Sequence, residues 1–245
     1  MKRILAALSS FVLPRVCPVC RRTLLPAETL MCTPCLAALP RSGMHLRPDA
    51  NSLASRVSHP GMRPALAAAW IDYDRHSPYA ALVRDAKLGS KPAISRESGR
   101  LFGLEMLADG CEPLLSDIDV LLPVPIHWTR LMQRGFNQSR EVAAGLSLAT
   151  GITVGDNLVA TRSHRSQTRG TSGRRLHNVD GVAALRSPSE LHGLHVAVVD
   201  DVVTTGATMR DAIRAVEQAS PRAISVLALG AVRGDEWVFN KKQDL

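Results

Sequence analysis

The sequence predicts an α/β protein: a parallel sheet wound with helices on both faces, preceded by a small cysteine-bearing module. Three observations lead there. From about residue 65 onward, short apolar runs alternate with segments whose apolar residues recur at helical spacing, which is the pattern of strand–helix–strand units. One run, Val196-Ala197-Val198-Val199, is unbroken and rich in β-branched residues, as suits a strand covered on both faces. Ahead of all this stand four cysteines in two C-x2-C pairs.

Residues 1–40 make the first module. Lys2-Arg3 followed by ILAALSSFVL has the outline of a secretory signal. Its apolar core is short, is interrupted by Ser9-Ser10, and runs into Pro14 with no A-x-A-like cleavage site. A buried or amphipathic helix is expected instead, in a cytoplasmic protein. Cys17 and Cys20 are separated from Cys32 and Cys35 by eleven residues. Four thiolates in two close pairs can surround one metal tetrahedrally, and Zn²⁺ prefers that donor set. The alternatives are two disulfides, disfavoured in a reducing compartment, or a redox C-x-x-C. A closed, structural zinc site is predicted. Cys111 stands alone and reads as an ordinary thiol.

Residues 41–64 turn to Ser, Pro, Arg, Asn and His without periodicity, and read as a linker. The main domain is expected over 65–245. ALAAAWIDYD reads as a strand that ends polar. Ser77-Pro78 opens a helix with Tyr79, Leu82, Val83 and Ala86 on one side, closing at Lys87-Leu88-Gly89. Lysine occurs at five positions only, so Lys87 is notable: an ammonium is a compact charge suited to pyrophosphate, although a lysine there also complements the helix dipole. A helix is expected over 94–107 and a strand over 119–125, stopped by Pro123-Val124-Pro125. The segment IHWTRLMQRGFNQS reads as a loop that gathers the donors Arg130, Arg134, Asn137 and Gln138 at a strand's carboxyl end. SREVAAGLSLATG reads as a helix with Val142, Leu146 and Ala149 inward. Residues 161–180 carry five arginines and many hydroxyls without periodicity. They read as a solvated loop, or as a lid closing over a polyanion. VAAL and residues 224–229 complete the predicted strands.

The chemistry concentrates in HVAVVDDVVTTGATMRDAIR, which starts at His195. Asp200 and Asp201 follow the buried run, then Thr204-Thr205-Gly206-Ala207-Thr208, and then a helix with Met209, Ile213 and Val216 on one face. Ligands of open α/β sheets bind outside the carboxyl ends of the strands. A helix N-terminus offers free N–H groups and the positive end of its dipole to a phosphate. Gly206 permits close backbone approach, and three threonine hydroxyls add donors. The acids would repel a phosphate, but they can accept hydrogen bonds from vicinal hydroxyls. A phosphate site beside a diol site describes a ribose 5-phosphate. The bland alternative is a buried strand, a capped turn and a helix, with the acids merely capping.

This string resembles the phosphoribosyl pyrophosphate (PRPP) motif of type I phosphoribosyltransferases. With Cys17, Cys20, Cys32, Cys35, Lys87-x-Gly89, PVPIHWTRLMQRGFNQS, Gln167-Thr168, Arg175 and Asn178-Val179, the chain is similar over nearly its whole length to the ComF family of competence-type, GntX-like proteins. It departs from that pattern at Gly170, at Ala183 and at Arg21, where a glycine is usual. The resemblance implies a zinc ribbon joined to a type I phosphoribosyltransferase fold, and an association with uptake of single-stranded DNA. It implies PRPP contacts from Asp200, Asp201, Thr204, Thr205, Gly206, Ala207, Thr208, Gln167, Arg175 and Asn178, with catalytic roles for Asp200, Asp201, Lys87 and Arg134, and Mg²⁺ alongside PRPP. No residue stands out as a general base for an acceptor. Two classes therefore stay open: a pentosyl-transferring enzyme, and a non-catalytic module binding PRPP or single-stranded DNA.

Composition sets the outer bounds. The 245 residues are 45% hydrophobic, ample for a packed core, and only 4% aromatic. The formal charge is +8, with arginine supplying most of the positive charge, and the pI is near 9.8. That balance suits phosphorylated ligands, nucleic acid, or solubility alone. No apolar segment is long enough to span a bilayer.

Overall fold

A computed structural model describes residues 15–88, 91–160 and 183–233. In chain order they form α1 (Thr33–Ala37), α2 (Ser52–Val57), β1 (Ala67–Asp72), α3 (Ala81–Leu88), α4 (Pro92–Ala108), α5 (Glu112–Ser116), β2 (Val120–Pro123), α6 (Trp128–Arg134), α7 (Gln138–Thr150), β3 (Thr153–Val154), β4 (Leu158–Ala160), β5 (Ala183–Leu185), β6 (His195–Val203), α8 (Ala207–Glu217) and β7 (Ala223–Ala231). Five strands make one sheet in the order β1-β7-β6-β2-β3, with every pair parallel. The long apolar run is its middle strand.

Alternate residues of β6 enter two cores. Ala197 and Val199 pack with Leu82, Phe102, Met106, Val142 and Leu146 from α3, α4 and α7. Val196 and Val198 pack with Leu53, Val57, Met209, Ile213 and Val216 from α2 and α8. Both faces of the sheet are therefore covered, which explains why β6 carries no polar alternation.

Several segments differ from the sequence expectation. The stretch read as a linker contains α2, whose Leu53, Ala54 and Val57 are buried. Asn51 caps that helix through Ala54 N–H at 2.9 Å and donates to Ala67 O of β1 at 2.8 Å, so the segment is fastened to the sheet. The expected loop after β2 holds the two-turn α6, capped by His127 and ended by Gly135 at φ +79°. Ala183–Leu185 of VAAL form a strand, but β5 pairs antiparallel with β4, outside the main sheet. The acids also sit within β6 rather than beyond it, because β7 continues alongside to the pair Val203–Ala231.

Candidate active site and candidate metal centre

The carboxyl end of β6 brings the paired acids against the first turn of α7. Asp200 is 8% exposed. Its Oδ1 accepts from Ser139 Oγ–H and from the Asp201 N–H, both at 2.8 Å. Burial foremost, then the charge of Asp201, pushes the Asp200 carboxyl up to about 8 against the pull of those two donors. Asp201 is half-buried and accepts from Val202 N–H at 2.8 Å. Near neutral pH the Asp200 carboxyl therefore holds its proton.

The loop beyond β6 presents Thr204, Thr205 and Thr208 to solvent. Gly206 adopts φ +77°, a conformation that other L-residues rarely take, and starts α8. Ala207 N–H donates to Thr205 Oγ1 at 3.3 Å. Two arginines bind the carbonyls of the loop. Arg56 donates through Nη1 to Thr204 O at 2.8 Å and to Val203 O at 3.4 Å, and through Nη2 to Val232 O at 2.8 Å. Arg210 donates to Thr205 O at 3.1 Å and to Arg56 O at 2.6 Å.

The remaining expected residues divide into three groups. Arg134 closes α6, just past the carboxyl end of β2. Lys87 lies in the last turn of α3. That helix is tied to α7 by Gln138 Nε2, which donates to Val83 O at 3.2 Å. Gln167, Arg175, Asn178 and the predicted lid fall outside the described residues. Two of the donors gathered after β2 are engaged in the frame: Gln138 as just described, and Asn137, which caps α7 and donates to Val124 O at 2.9 Å. Sequence reasoning missed Ser139, Arg56 and Arg210. Ser139 had one legible clue, its place at the start of a helix following a strand end.

At the other module, the Sγ atoms of Cys17, Cys20, Cys32 and Cys35 lie within 4.8 Å of one another. Burial raises the Cys17 thiol, but backbone N–H groups of Cys20, Cys32 and Val19 outweigh it and bring Cys17 down to about 7. Burial and the neighbouring cysteines push Cys35 upward. The donor set fits a tetrahedral metal such as zinc. Glu28 fastens the knuckle, accepting from Leu25 N–H at 2.8 Å and Thr33 N–H at 2.7 Å. Arg21 takes φ +64°, a glycine-type conformation, and its guanidinium pairs with Asp85 of α3 at 2.9 Å.

Residues 131–242 match the family model described as a phosphoribosyl transferase domain. With its parallel sheet and its strand–loop–helix crossing, the chain is of the phosphoribosyltransferase kind. The "DNA utilization protein YhgH" of Shigella flexneri is 30% identical over 196 residues, covering 80% of this chain and 81% of that protein. "Competence protein F" of Haemophilus influenzae is 29% identical over 154 residues, 62% of this chain and 67% of that one. The chain belongs to the ComF family of phosphoribosyltransferase-related proteins. Among solved structures, adenine phosphoribosyltransferase from Thermoanaerobacter pseudethanolicus aligns at 16% identity and TM-score 0.35, over 62% of this chain and 84% of that one.

Proposed function

We propose that the chain binds PRPP at the carboxyl end of β6 and acts as a phosphoribosyltransferase-like protein in the handling of incoming DNA. The observation that carries this reading is the juxtaposition of Asp200 and Asp201 with a hydroxyl-rich loop at the N-terminus of α8. The amides of 205–208 and the threonine hydroxyls would take the 5-phosphate. Asp201, on the more open side, and Asp200 would accept from the ribose diol. Lys87 and Arg134 would face the pyrophosphate, and Gln167, Arg175 and Asn178 would close over it. In transfer, an acceptor attacks C1 as the bond to pyrophosphate breaks. The acids hold the ring as positive charge develops there, and the cations stabilise the leaving group. Asp201, joined by Asp200 once that carboxyl gives up its proton, suits a hard cation such as Mg²⁺, which would neutralise charge on the pyrophosphate. The four thiolates would hold one structural zinc.

A second reading, a PRPP- and single-strand-binding module without turnover, draws support from the +8 charge and the names of the two relatives. In that case affinity for single strands falls steeply with salt as counterions are released.

Calorimetric titration with PRPP and Mg²⁺ tests the reading common to both. Saturable binding is expected, weakened in Asp201→Ala by about 1.5–3 kcal/mol while thermal unfolding stays cooperative. Equal affinity in wild type and variant would remove the acids from the site.

A further inference from the structure

We propose that Arg56 is a positioning residue for the phosphate loop, supplied by a segment that lies outside the matched transferase domain. This rests on the reading of residues 204–208 as a phosphate site. The domain match begins at residue 131, yet the loop is held by a side chain 148 residues before Thr204.

The argument starts from peptide geometry. In a trans peptide the C=O of one residue and the N–H of the next point to opposite sides. Arg56 binds the carbonyls of Val203 and Thr204, and Arg210 binds that of Thr205. The N–H groups of Thr204, Thr205 and Gly206 are thereby turned away from the arginines. Val203 is held in the sheet as well, its carbonyl accepting from Val232 N–H at 3.1 Å, but the peptides after Thr204 and Thr205 lie beyond β6 and could rotate if left to themselves. With its carbonyls engaged by guanidinium donors, the loop presents successive amides to one side, the concave arrangement that takes anions. Gly206 belongs to the same device. A Cβ there would come within 3.1 Å of both Arg56 Cγ and Arg210 Nη1, so those side chains would have to shift, and the φ of +77° favours glycine in its own right.

Charge adds a second effect. Among the described residues, the acceptors of Arg56 are carbonyls rather than carboxylates. Burial disfavours the cationic form of both arginines, and the charge of Arg210 adds to that at Arg56. A phosphate arriving on the amide side of the loop would relieve that cost. Arg56 thus acts through the loop and through space, without touching the ligand. Because it also binds Val232 O at the end of β7, it anchors the loop to both the α2 segment and the sheet.

The test is titration of the full chain with ribose 5-phosphate, which probes the loop without the pyrophosphate, alongside PRPP. Arg56→Gln removes charge and fork together. Arg56→Lys keeps the charge but cannot hold several carbonyls at once. The expected results are about tenfold weaker binding of both ligands in Arg56→Gln and an intermediate loss in Arg56→Lys. A role in folding alone would lower the melting temperature and leave the affinity of the folded protein unchanged, and that outcome overturns the proposal while the phosphate reading stands. If Arg56→Gln does not fold, Arg56→Lys decides: weaker binding supports the role, and wild-type affinity overturns it. Failure of the wild type to bind either ligand removes the phosphate site and this role with it.

Discussion

Asp200 shows how much one buried carboxyl can do to the stability profile. Its folded-state pKa is raised, to about 8. An unfolded aspartate gives up its proton near pH 4, whereas the folded protein retains it. The stabilisation from that retained proton is complete below pH ~4 and is lost as pH climbs toward about 8. Asparagine is nearly isosteric, and its Oδ1 can accept from both Ser139 and the Asp201 amide. Asp200→Asn is therefore expected to flatten the decline and to exceed wild type near pH 8 by on the order of 1–3 kcal/mol, measured by denaturant unfolding across pH 5–8. Parallel profiles would contradict the buried, proton-holding carboxyl. The two acids were legible in the sequence because they follow an unbroken apolar run. Arg56 was not, since an arginine in an aperiodic stretch carries no mark of a partner far along the chain. Ser139, equally, is one hydroxyl in a segment full of them.

At the scale of elements, the acid pair depends on where α7 lies, and α7 is set by its crossing with α4. The two helices meet through glycines. A Cβ on Gly145 would collide with the Arg96 carbonyl oxygen and lie 2.7 Å from the Arg100 nitrogen, and one on Gly99 would strike the backbone carbonyl of Val142. The obstacles are backbone atoms, which cannot swing aside as a flexible side chain would. Gly145→Ala should cost about 2–3 kcal/mol, read as a lower denaturant midpoint, despite alanine's better helix propensity. A neutral or stabilising effect would mean the helices are farther apart than described. The two helices were readable from apolar periodicity, but the glycines gave no sign of how closely they approach. The short α6 was missed for a related reason: seven residues are too few for a period to emerge, although Gly135 marks where it ends. The pairing of β5 with β4 was beyond reach, because a strand pattern does not name its neighbour.

Over the whole molecule, the cysteine module and the sheet are joined by shared packing. Cys17, Leu30, Met31, Cys32 and Leu39 enter the same core as Leu82 and Phe102. Tyr79 Oη–H donates to Cys35 O at 2.9 Å, and Arg21 pairs with Asp85. Those contacts place the thiol cluster against the elements leading into α3, the helix that carries Lys87. Among the described helices none is long and apolar enough to cross a membrane. Fold class and the central motif were legible because both rest on local order, an apolar run followed by acids, small residues and a helix. The docking of the module and the fastening of the former linker were not, because both depend on contacts between distant parts of the chain.

The central claim is that residues 204–208 and the first turn of α8 take the phosphate of PRPP. Residue-resolved amide hydrogen exchange with and without PRPP and Mg²⁺ tests it most directly, because the amides themselves are the predicted ligands. Slower exchange at Thr205, Gly206, Ala207 and Thr208 on saturation, with β4 and β5 unaffected, is the predicted result. Saturable binding that leaves those four amides exchanging as before would contradict it.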